Sequence, residues 1–185
     1  MEKAVVFFDG AYLQKVLFEE YEKARIDYAM LANALVRQTG AHLLRAYYYD
    51  CLPYQGNPPT EVERKRVSAT QRFFKALSRL PRFQVKLGKL SLRGKDEAGR
   101  PVFEQKKVDI MIGVDMVEFA AARQISQAIL FAGDSDFVPA VEAVKRQGVL
   151  TILWHGSMES VHRELWESCD ERYQLSLEII NSIRR

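Results

Sequence analysis

Residues 128–149, AILFAGDSDFVPAVEAVKRQGV, decide the architecture. The apolar run 128–132 reads as a buried strand, Gly133-Asp134-Ser135-Asp136 as a turn, and the stretch from Ser135 onward as a helix that Gly148 ends. Outward from this unit the same alternation recurs. KAVVFFDG (3–10) is a short apolar run closed by Asp-Gly, followed by a helical AYLQKVLFEEYEK. Asp27 stands as N-cap before YAMLANALVRQ, and HLLRAYYYD (42–50) is a second apolar run closed by an aspartate. Thr60 and Glu63 have the spacing of a capping box for a long helix to about residue 80. FQVKLGKLSLRG, KDEAG and RPVFEQK read as an antiparallel hairpin. KVDIMIGVDMVEFAAAR is helical, and VLTILWHG is a further buried strand. Continuous apolar strands alternating with helices predict an α/β fold: a parallel sheet covered by helices on both faces, with a small β-hairpin extension.

The chain has 185 residues, 48% of them hydrophobic and 28% charged, which suits one globular domain over 1–185 and excludes disordered and fibrous classes. No apolar run is long enough to span a membrane, and MEKAVVFFDG lacks the features of an export signal, so no membrane partner is expected. Cys51 and Cys169 lack CxxC spacing, which fits packing residues in a reducing cytoplasm. The net charge of +3 hides a segregation: residues 61–107 hold 14 Lys/Arg against 5 Asp/Glu, a local +9 that leaves −6 for the rest. A basic helix-hairpin segment of this kind attracts a polyanion or presents a solvated face.

In a parallel sheet, ligands gather at the carboxyl ends of the strands. Asp9 closes the first strand, Asp134 and Asp136 follow AILFAG, and Asp109 opens the helix after the hairpin. Each alone has an ordinary explanation as a cap or turn residue. Asp115 differs, because Val108, Met111, Ile112, Met116 and Phe119 form an apolar stripe in which Asp115 takes an inward-facing place. A carboxylate there must meet a donor, a cation or the rim of a cavity. Together the acids form an oxygen-only donor set suited to a hard ion, Mg²⁺ or Mn²⁺, and such an ion suits phosphodiester hydrolysis. Ser135 lacks a base and an oxyanion partner, so it reads as a cap or a hydroxyl near the ion. His155 follows a strand but has no companion at metal-ligand spacing.

The segments VVFFDGAYL, KKVDIMIGVDM and AILFAGDSDFVPAVEAVKRQGV resemble, in order and spacing, the NYN domain of the PIN-like nuclease superfamily, in particular its LabA-like bacterial branch. The resemblance runs from about residue 3 to about 175. It implies a Rossmann-like sheet and metal-dependent RNA cleavage, with Asp9, Asp109, Asp134 and Asp136 as catalytic metal ligands and Asp115 in support. This chain has Tyr12 where many NYN domains have asparagine, and Lys107 where a glycine is usual.

The expectation is therefore a cytoplasmic metal-dependent endoribonuclease acting on single-stranded RNA, with a homodimer left open. Lys86, Lys89, Arg93 and Lys95 on the hairpin would hold phosphates, and Tyr12 or Trp154 would stack on bases. The alternatives are a non-catalytic RNA-binding or regulatory interaction module on the same fold, and a phosphatase acting on small phosphoesters.

Overall fold

The computed structural model describes residues 2–95 and 101–185, side chains excepted at 89–93, 95 and 101–106. Strand β1 (Lys3–Asp9) buries every interior residue, Ala4, Val6 and Phe8 toward one face and Val5 and Phe7 toward the other. It pairs in parallel with β2 (His42–Cys51) on one side and β5 (Gln127–Phe131) on the other. Strand β3 (Phe83–Lys95) lies outside β2, while β6 (Leu150–His155) and then β7 (Glu171–Gln174) lie outside β5, all parallel. Strand β4 (Pro101–Lys106) adds to β3 antiparallel, giving the order β4-β3-β2-β1-β5-β6-β7. The fold is thus the expected Rossmann-like α/β sheet, and its hairpin is the β3–β4 pair.

Helices cover both faces, which is why the inner strands read as unbroken apolar runs. On one face α1 (Gly10–Glu19), α2 (Tyr28–Arg37), α3 (Glu61–Leu77) and α7 (Leu177–Ile183) bury residues such as Leu13, Leu35, Phe74 and Ile180 against Val6, Phe8 and Tyr48. On the other, α4 (Val108–Ala121), α5 (Val138–Arg146) and α6 (Arg163–Ser168) bury Ile112, Val141 and Leu165 against Phe7, Tyr49 and Leu130. Asp27 caps α2 by accepting from the Ala29 and Met30 amides at 3.0 Å, and Thr60 with Glu63 forms the capping box of α3. The helix expected from Ser135 instead starts as a single 3₁₀ turn, Ser135–Phe137, with α5 following.

Strand β3 does two things. Its first half, up to Gly88 opposite Cys51, belongs to the main sheet, and from Lys89 it continues beyond the end of β2 as one arm of the hairpin. At about 3.3 Å per residue this carries the arm roughly 20 Å past the carboxyl edge of β2. The chain leaves β1 and β5 at that same edge, and their connections run to opposite sides. Such a switch point opens a crevice between the two strand ends.

Candidate active site

Four of the expected acids come to this crevice. Asp9 ends β1 and caps α1, its Oδ1 accepting from the Tyr12 amide at 3.1 Å. Burial raises its carboxyl to about 6, and Asp109 and Asp50 push the same way against the lowering effect of the Tyr12 N–H. Asp109, in the first turn of α4, is also raised, by desolvation first and then by Asp134 and Asp136. Asp134 accepts from the Asp136 amide at 3.1 Å, which winds the 3₁₀ turn and leaves both residues exposed beside half-buried Ser135. The acids therefore feel one another electrostatically, from Asp9 through Asp109 to the pair after β5.

A fifth member is Asp50, at the carboxyl end of β2. Its Oδ1 accepts from the Cys51 amide at 2.7 Å, and burial raises its carboxyl. The pattern that marked Asp9, a buried strand closed by aspartate, marks Asp50 too. No turn glycine or motif follows it, so the sequence alone does not single it out as a site residue.

Gly133 shows why the turn before Asp134 needs glycine. A Cβ there would stand 2.5 Å from the Ser160 carbonyl and would run into the Tyr12 ring. Tyr12 lies beneath the acidic turn, its hydroxyl 2.9 Å from Ser160 Oγ and accepting from the Gly156 amide at 3.1 Å. Its ring packs on Phe131 at 5.8 Å. This corrects the expectation of base stacking, since Tyr12 is buried and ties α1 to the loop after β6. Trp154 is corrected likewise, being 1% exposed and stacked on Tyr173 at 5.0 Å. His155 is buried, its Nδ1 bonded to the Gly156 carbonyl at 2.8 Å, and burial lowers its pKa.

Asp115 points inward as its place in the stripe predicts, and it meets both a donor and a cation. The Tyr49 hydroxyl donates to Oδ2 at 2.5 Å and Lys86 Nζ reaches the same oxygen at 2.6 Å. Lys86 is thereby corrected as a hairpin cation, because it sits opposite Tyr49 in the main sheet with its ammonium occupied. The side chains of Lys89, Arg93 and Lys95 lie outside the described residues. Lys107, immediately before α4, has φ +78°, the left-handed region where glycine is at ease. The glycine usual at this place thus has a backbone reason.

The donors suit Mg²⁺ or Mn²⁺ in chemistry, being carboxylates that raise one another's pKa. Among the described residues, however, no three metal-ligating side chains already converge on one point. The fit to an ion is one of charge and donor type.

The NYN domain matches residues 3–177. The crystal structure of a protein of unknown function from Vibrio parahaemolyticus is similar over 100% of this chain and 96% of its own, with 19% identity and a TM-score of 0.65. Plasmodium falciparum nicotinic acid mononucleotide adenylyltransferase complexed with APC overlaps 99% of this chain and 80% of its own at 9% identity, but with a TM-score of only 0.35. No curated protein matches the chain. NYN domains have an RNA-related, nuclease-like function, and PIN-like nucleases in general use divalent metals. A match across nearly the whole chain means that this protein belongs to the NYN domain family, within the PIN-like superfamily.

Proposed function

We propose that the chain is a metal-dependent endoribonuclease of the LabA-like kind, acting on single-stranded RNA in the cytoplasm. The observation that carries this reading is the raised carboxyl of Asp9, coupled to Asp109, which is itself coupled to Asp134 and Asp136 at the switch point of the sheet. Among the described residues no cation is paired with these four acids, and a site of that kind is prepared for a cation from outside.

Asp9, Asp109, Asp134 and Asp136 would hold Mg²⁺ or Mn²⁺. When bound, the ion supplies positive charge against the phosphate oxygens and lowers the pKa of the attacking water. The residues supply position. The Tyr12 amide fixes Asp9, the Asp136 amide fixes Asp134, and the Asp115–Lys86 pair anchors α4 and with it Asp109 against β3. Ser135, between the two exposed acids, offers a hydroxyl at the rim.

The test is cleavage of a mixed single-stranded RNA pool in Mg²⁺ and in Mn²⁺ by the native chain and by Asp9→Asn. Loss of a direct ligand should cost at least the 10–100-fold typical of changes around metal ligands. Tyr12, standing where many NYN domains have asparagine, favours a second reading, a non-catalytic RNA-binding or regulatory module. RNA bound but left intact in both metals would establish that reading in place of the first.

A further inference from the structure

Beside the acidic crevice, α1, the start of α2 and α3 enclose a cavity of about 810 Å³ over the opposite face of β2. Its volume lies within the range of small-molecule sites. Asp50, near the carboxyl end of β2, lines it and also raises the carboxyl of Asp9, so the cavity reaches the edge where the acids gather. Its apolar wall is Tyr28 and Phe73, rings 5.4 Å apart and edge to face. Tyr28 is held in place by Gln14 Nε2 at 2.6 Å and by contact with Tyr48 at 5.8 Å. A wall that is rigid before a ligand arrives loses little conformational freedom on binding.

The cavity also carries charge of both signs. Of the cations that line it, Lys23 lies over the Phe18 ring and Arg185 is tied to Asp27, while Arg25 is exposed and has no carboxylate partner among the described residues. A carboxylate repels phosphate but accepts from N–H groups, whereas a guanidinium does the reverse. A nucleotide placed by this polarity would have its base edge toward Asp50 and its phosphate toward Arg25.

The outer side of α3 supplies the approach. Arg64, Arg72 and Lys75 recur at i, i+8 and i+11 on one exposed stripe, which Arg79 extends just past the helix, and among the described residues none is paired with a carboxylate. The adjoining face of the same helix presents Ala69, Phe73 and Ala76 to the cavity. A strand whose phosphates follow the stripe is thus brought alongside a pocket of nucleotide size.

We propose that this cavity is a nucleotide subsite, taking one unit of an RNA strand with its base against Tyr28 and Phe73 and its Watson–Crick N–H edge toward Asp50. The inference rests on the reading of RNA as the ligand and adds where the strand lies: across β2 and α3, beside the acidic crevice, with which the cavity shares Asp50. Guanine, with adjacent N1–H and N2–H donors, is the base that best suits a carboxylate.

The experiment titrates GMP into the full chain labelled at alanine methyls and follows the NMR shifts. Ala69 and Ala76 should move in a saturable manner while Ala140, on α5, stays still. Ala69→Trp, which fills the cavity from an exposed helix position, should weaken GMP binding at least tenfold, about the loss of one base–aromatic stack. Arg25→Ser should weaken GMP and leave guanosine unchanged. Methyls that do not respond to GMP overturn the proposal, as does equal affinity in folded Ala69→Trp. Should that variant not fold, the location of the shifts in the native chain decides. RNA cleavage with silent cavity methyls would overturn this inference alone. Binding in the cavity without acid-dependent cleavage would overturn the nuclease reading alone.

Discussion

Lys86 and Asp115 meet at 2.6 Å between β3 and α4, and the Tyr49 hydroxyl shares the same carboxylate oxygen from β2. Three elements are joined at one atom. The Asp115 side chain is 11% exposed and that of Lys86 36%, so removing the cation leaves a charge with little water to replace it. Lys86→Met should destabilise the fold by about 2–3 kcal/mol, and Lys86→Met with Asp115→Asn by less than the sum of the single changes. Urea unfolding of the three variants measures this. Because the ammonium is already engaged, the salt dependence of RNA binding should be the same in Lys86→Met as in the native chain.

Asp9 gives the metal-free protein a defined pH dependence. Its carboxyl is raised from 3.8 to about 6 on folding, so between these values the folded chain holds the proton that the unfolded chain has released. Stability from this group is therefore full below pH 4 and falls as pH rises through 6, by up to about 3 kcal/mol. In chelator, Asp9→Asn should match the native chain near pH 4 and exceed it near pH 8. Mn²⁺ should raise the melting temperature of the native chain near pH 8 and lose that effect near pH 4. A pH-independent difference between the two proteins would contradict the raised carboxyl of Asp9, which owes most to its burial and less to Asp109 and Asp50.

Lys107 holds φ +78° without a side-chain cap for α4. A non-glycine residue in that region costs about 1–2 kcal/mol, partly offset in glycine by its greater unfolded freedom. Lys107→Gly should stabilise the fold by roughly 0.5–1 kcal/mol, whereas Lys107→Val should destabilise it. Thermal melts of both variants check the sign.

Gly133→Ala should do the reverse. Its new methyl meets the Ser160 carbonyl, a backbone group that cannot step aside, and the Tyr12 ring, which is fixed at its hydroxyl. A loss of about 2 kcal/mol or more is expected, within the usual range for overpacking. Tyr12→Phe, which removes only the hydroxyl's bonds to Ser160 and the Gly156 amide, should cost about 1 kcal/mol. Urea melts compare the two, and a larger loss in Tyr12→Phe would put the turn's rigidity in the hydrogen bonds and not in the close approach.

What the sequence made legible follows from which forces act locally. The apolar runs of β1, β5 and β6 are buried on both faces, so composition alone reveals them. Asp115 betrays its orientation because an interrupted helical stripe has one geometric reading, and its partners are of the kind that burial demands. Lys86 was misplaced for the converse reason. Alternation along FQVKLGKLSLRG is the same whether a neighbour runs parallel or antiparallel, so the switch of partner after Gly88 leaves no local trace. Tyr12 and Trp154 carry no mark distinguishing a ring that packs from one that stacks on a base, since that depends on residues as distant as Ser160 and Tyr173. Asp50 bore the sign of a strand-closing acid but acquires its meaning only from the crevice beside Asp9.

The order of strands has a consequence for how the chain is made. β1 precedes the other strands in the chain and lies at the centre of the sheet, whereas its neighbour β5 follows β2, β3 and β4. A partly translated chain therefore carries Asp9 without Asp134 and Asp136, and without the strand that supports them. The full set of acids arises only when β5 closes against β1, so a growing chain still attached to its own messenger and ribosome holds an incomplete site. Completion of the acidic site is thereby coupled to completion of the sheet.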